Sequence, residues 1–178
     1  TVARRVVHSV PVGRYPFGVA LSPDETRVFV ANVGMFEYRK IPGTDEEDPE
    51  TGLDYPPFGF GTREMREGVT VDGKPVPGLG DPNSPESFSV WTVSLGPDGP
   101  RVTSKVKTGT LVGEPVEGIP AVGGSSPNSL VATSQHVFVS TGTNDTVSVL
   151  DLRSDEVLTE IQLRPFEAVR QFRGVIPF

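Results

Sequence analysis

Asp48, Glu50 and Asp54 are the residues whose types and spacing come nearest to a site for chemistry. In Asp48-Pro49-Glu50-Thr51-Gly52-Leu53-Asp54, oxygen ligands alternate around a glycine turn, the kind of spacing that calcium loops use. The segment has neither the third regular ligand nor the distal bidentate glutamate, and a solvated acidic loop accounts for it as well. The two histidines, His8 and His136, are the only imidazoles. Each falls in a segment that reads as a strand, where packing or exposure is the ordinary role and metal or acid–base work the alternative. A serine hydrolase needs its serine on a strained elbow such as Gly-x-Ser-x-Gly, and Gly123-Gly124-Ser125-Ser126-Pro127 does not fit. The chain has no Walker loop, no dinucleotide-binding glycine fingerprint, no His-Glu-x-x-His and no haem-attachment motif. We therefore expect no catalytic residue here, and no cofactor beyond the calcium candidate.

The bulk composition narrows the function classes. A net charge of −7 without a basic stripe argues against nucleic acid and against docking on anionic lipid. The apolar runs are too short to span a bilayer. The absence of cysteine excludes disulfides, thiol nucleophiles, Fe–S clusters and Cys-ligated zinc. With 20 Gly and 18 Pro in 178 residues, the chain suits many short strands joined by turns better than a helical bundle.

Those strands come in a repeat. Tyr15-Pro16-Phe17-Gly18-Val19-Ala20-Leu21-Ser22-Pro23-Asp24 leads into Arg27-Val28-Phe29-Val30-Ala31-Asn32. Ser126-Pro127-Asn128-Ser129-Leu130-Val131-Ala132 leads into His136-Val137-Phe138-Val139-Ser140-Thr141, and Val175-Ile176-Pro177-Phe178 begins the pattern again. After the second copy, Thr146 to Leu152 and Val157 to Leu163 alternate apolar and polar residues around a turn at Arg153-Ser154-Asp155-Glu156. Each repeat thus predicts four consecutive antiparallel strands, about one propeller blade. In the first repeat the third strand is Ser87 to Leu95 and the fourth Arg101 to Val106.

The repeats resemble the YVTN-type β-propeller family. Its blades carry a Pro-x-Gly-x-Ala-x-Ser-Pro-Asp entry, a Tyr-Val-Thr-Asn-like second strand and a Val-Ser-Val-Ile-Asp-like third strand. Pro16 to Asp24, Phe29-Val30-Ala31-Asn32 and Val147-Ser148-Val149-Leu150-Asp151 match these. The second copy departs at Thr141 and lacks the Ser-Pro-Asp turn, and the first departs at Val90-Trp91-Thr92-Val93. The fold expected is all-β: a propeller fragment of about two four-stranded antiparallel blades plus partial flanking blades, with long loop insertions on one face. Residues 1–13 would be the last strand of a preceding blade, and 14–107 a blade with a large insertion at 33–86. Residues 108–126 would be an inter-blade loop, 127–163 the second blade, and 164–178 a connection and the start of the next blade.

In a four-stranded meander, the second-to-third connection and the blade-to-blade connection emerge on the same side. All the surplus sequence should therefore share one face, where binding loops usually sit on a rigid scaffold. Capping of the propeller is the plainer role for it. Tyr55, Phe58 and Phe60 of the insertion, and Arg170 and Arg173 of the last connection, are the binding-face candidates. The insertion should be irregular but ordered, because its aromatics need something to pack on. Asn144-Asp145-Thr146 is a glycosylation sequon and also a hairpin turn, and we favour the turn. Trp91 is expected between blades.

The resemblance implies an extracytoplasmic bacterial protein, periplasmic or extracellular. The expected role is a non-catalytic binding and scaffold module. Its partners would be the remaining blades of the same propeller and another domain or protein on the inserted-loop face. Similar proteins include some joined to an alkaline-phosphatase-like phosphoesterase domain, which would lie outside these residues. Two alternatives are part of a periplasmic propeller redox enzyme and a structural surface or filament protein.

Overall fold

Valine-rich alternation becomes two four-stranded antiparallel meanders in a computed structural model, which describes residues 5–44, 55–56, 61–116 and 118–163. The first sheet is built from β1 (Pro16–Leu21), β2 (Arg27–Asn32), β5 (Ser89–Gly96) and β6 (Gly99–Lys107), in that order. The second sheet is β9 (Pro127–Ala132), β10 (His136–Thr141), β11 (Thr146–Asp151) and β12 (Glu156–Gln162). Between β2 and β5 lie α1 (Arg63–Glu67) and the hairpin β3 (Gly68–Val71)–β4 (Lys74–Pro77). Between the sheets lies a second small hairpin, β7 (Pro115–Val116) and β8 (Ile119–Pro120). The described chain is therefore all-β apart from one short helix.

The two sheets share their register. Val28 faces Val93 across β2 and β5, and Val137 faces Leu150 across β10 and β11. They also share their irregularities. The entry strand bulges just after its first residue in both, after Pro16 and after Pro127. The outer strand bulges at Thr103 in one sheet and at Leu158 in the other, opposite the steps Thr92/Val93 and Val149/Leu150. A bulge adds one residue and increases the local twist, so both sheets are bent at matching positions.

One face of each sheet meets the other. Phe29 and Val90 of the first sheet pack with Val137, Val139 and Leu150 of the second, and Leu130, Ala132 and Val106 close the edges. Phe29 is only 1% exposed. Burying such a side chain stabilises by about 1.5–3 kcal/mol. The entry strands β1 and β9 approach closely at Gly18, where a Cβ would collide with the Asn128 carbonyl. Arg27 adds a polar tie by donating from Nη1 to the Leu152 carbonyl at 3.2 Å.

The opposite face of each sheet is apolar and partly exposed. On the first it shows Phe17, Val19 and Leu21, and on the second Val131 and Ile161.

One sequence expectation needs correction, and two others gain a location. Residues 6–12 join no sheet among the described residues, and Val7, His8, Val10 and Val12 line a groove with β2 and β5 on the outer face of the first sheet. The insertion is more regular than expected. Thr62 caps α1 by accepting from Met65 N, and Asp72-Gly73, at φ 51° and 75°, makes the two-residue turn of β3–β4. Trp91 is buried at 5% exposure, on the face away from the second sheet. There Lys105 Nζ sits 3.9 Å from its ring centroid, and Trp91 Nε1 donates to the Pro85 carbonyl.

Candidate functional site

The long connections converge on one side of the molecule because backbone and amide groups weld them together. Arg14, just before β1, donates from Nη1 to the Met35 carbonyl at 2.7 Å and the Asp81 carbonyl at 3.0 Å. One guanidinium thus ties the sheet entrance to both ends of the 33–86 insertion. The insertion adds its own small core, in which Phe36, Met65 and Leu79 are all buried. Its backbone is latched by Leu79 N to Met65 O and by Glu37 N to Leu79 O.

Asn83 joins the insertion to the inter-sheet loop. Its side-chain amide donates to the Val112 carbonyl at 2.8 Å and accepts from Val112 N at 3.0 Å. The side chain thus pairs with the loop as a strand's peptide group would. Further along, Asn144 Oδ1 accepts from Thr110 N at 2.7 Å, which helps to hold this loop. Glu160 accepts from Thr146 Oγ1 at 2.9 Å, Ser148 Oγ at 2.7 Å and Gly109 N at 3.2 Å. The start of the loop is therefore anchored on the second sheet and its middle on the insertion.

Lys107 fastens the end of the insertion from below. Its ammonium donates to the carbonyls of Ser84 and Ser87. Burial lowers its pKa to about 8, against the attraction of Asp81 and Glu86, while Arg14 adds to the lowering. Beneath lie two buried polar atoms with no hydrogen bond, Asn32 Oδ1 and Ser89 Oγ.

What this face offers a ligand is aromatic and polar. Tyr15 and Tyr38 are half exposed, with ring centroids 6.5 Å apart, and Phe36 supports Tyr38 edge-on at 6.5 Å. Such a pair can stack on an apolar group and hydrogen-bond through its phenols. Tyr55 is also half exposed. Asp48, Glu50, Asp54, Phe58, Phe60, Arg170 and Arg173 lie outside the described residues. Tyr15 and Tyr38 escaped the sequence reading as a pair. The bonds of Val33 N to Tyr15 O and Gly34 N to Arg14 O, with that of Arg14 Nη1 to Met35 O, bring their segments together.

No imidazole works here. His8 lies on the other side, beside Asp98 in the groove over the first sheet, and His136 packs on Phe138 with centroids 6.2 Å apart. Among the described residues, no group of three or more His, Cys, Asp or Glu is placed to hold a metal ion. No helix among the described residues is long and apolar enough to cross a membrane. No protein-family model and no curated protein matches the sequence.

Proposed function

We propose that this chain is a non-catalytic binding and scaffold module: part of a YVTN-like β-propeller in an extracytoplasmic bacterial protein. The observation that carries the reading is the duplication of register and bulge positions in two stacked sheets. Matching bends in successive sheets, each packing one apolar face on the next, are what a radial array requires. Apolar faces left open on both sides fit further blades on either side. The welded connections then form a cap on one end of the array, with Tyr15 and Tyr38 on its surface. A partner domain or protein docks there, where a rigid scaffold holds the loops.

The test uses the native full-length protein with its natural neighbours. Tyr15→Ser with Tyr38→Ser should weaken partner retention on a sizing column. Glu25→Lys with Ser154→Lys, in the short turns of the opposite end, should leave it intact. Equal loss from both pairs, or loss from the second alone, contradicts the assignment.

A further inference from the structure

The groove on the outer face of the first sheet repeats three wall positions of the seat that holds Phe29. Inside the chain, Phe29 packs on Val137 and Val139 of β10 and Leu150 of β11. The same register positions in the first sheet are Val28 and Val30 of β2 and Val93 of β5. These three line a groove of about 810 Å³, completed by Leu95 and by Val10 and Val12 of the leading segment.

The matching insert is on the far side of the molecule. Phe29 lies between Ala20 and Thr92 in its sheet, and Phe138 lies between Val131 and Val149 in the same register. Phe138 therefore sits on the open face of the second sheet. Even its neighbour repeats. The Arg27 guanidinium stands 5.8 Å from the Phe29 centroid, and the His136 ring 6.2 Å from that of Phe138. Arg27 donates to the Leu152 carbonyl, and the counterpart of Leu152 is Leu95, on the groove. The pairing of counterparts shows in the backbone: Leu152 N bonds Gln135 O as Leu95 N bonds Thr26 O. The walls differ where Val93 stands for Leu150, where Val10 and Val12 of the leading segment join the lining, and where Trp91 and Lys105 stand in for Ser148 and Glu160 without lining the groove.

We propose that a second copy of this chain seats its Phe138 in the groove of the first, with His136 against the Leu95 carbonyl. The contact continues the internal sheet-to-sheet interface, and it rests on the reading of the sheets as repeats of one stacked array. It is heterologous: each copy keeps a free groove or a free Phe138 face until a ring closes.

The experiment is sedimentation velocity on the 178-residue chain over a concentration series. Val19→Asp puts a charge on the same sheet face beside the groove-lining Val30, and Val131→Asp puts one on the Phe138 face. Both side chains are well exposed, at 69% and 59%, and circular dichroism checks that each variant folds. The wild type should associate as concentration rises. Each variant alone should stay monomeric, and an equimolar mixture should give dimers and nothing larger. A monomeric wild type, a variant that associates alone, or a mixture that does not pair overturns the proposal. Amide exchange on the monomeric variants reads the internal seat separately. Loss of joint protection of β2 and β10 would count against the repeat reading, not against the copy-to-copy contact.

Discussion

Tyr15 and Ser126 hold the same left-handed backbone conformation, at φ 48° and 49°, each directly before the proline that opens a sheet. Each carbonyl then accepts from the residue just past the second strand, Val33 N in one sheet and Gly142 N in the other. Residues before proline normally stay extended, and a non-glycine residue at positive φ costs on the order of 1–3 kcal/mol. Strain repeated at equivalent points shows that the entrance geometry belongs to the repeating unit and not to one loop.

That strain can be relieved. Ser126→Gly should raise stability by about 0.5–1 kcal/mol, since glycine takes this conformation freely, whereas Ser126→Val should lower it by at least as much. Urea unfolding of the three proteins checks the order. A valine variant as stable as wild type would mean that the turn is not held in this form.

Phe29 and Phe138 are alike in sequence and different in burial. Phe29→Ala should cost about 3–5 kcal/mol by leaving a cavity between the sheets. Phe138→Ala in the monomer should cost roughly half of that or less, because its face is open and only part of its transfer free energy is at stake. Thermal melts at low concentration make the comparison, and equal losses would contradict the stacking described.

Asn83 joins two loops and supports neither sheet. Asn83→Ala should cost about 1–3 kcal/mol by leaving the Val112 peptide without its partner. Amide exchange should quicken at Val112 while β2 and β10 keep their protection. Unchanged exchange at Val112 would show that the insertion and the inter-sheet loop are independent.

Asp24 links the turn to pH. Hydrogen bonds from Ser22 Oγ and from Thr26 hold its carboxyl down to about 2, against an ordinary value of 3.8. A carboxyl with a lowered folded pKa adds stability above its unfolded value, and that stability is lost as pH falls through the folded one. The wild type should therefore lose stability between about pH 4 and pH 2 more steeply than Asp24→Asn. Parallel acid limbs would remove Asp24 from the account.

Much of the fold was legible because it rests on alternation. Val28 to Ala31 and Thr146 to Leu152 announce strands with a period of two, and the Ser22 to Thr26 turn carries its proline and aspartate in place. The hairpin in the insertion escaped the reading, although Asp72-Gly73 after Val69 and Val71 is a two-residue turn signal. The outer-strand bulges had no such signal. Thr103 and Leu158 share no chemistry, and only the pairing of whole strands reveals them. The cap was hidden for another reason. Arg14, Asn83 and Asn144 act on backbone groups of distant segments, and such bonds leave no periodic trace.

The central claim is that these sheets are successive members of one stacked array, and electron cryomicroscopy of the native protein containing them tests it most directly. The account predicts sheets arranged about a shared axis, with β1 and β9 innermost and a further sheet packed on Val28 and Val30. A two-sheet sandwich with those valines facing solvent would contradict it.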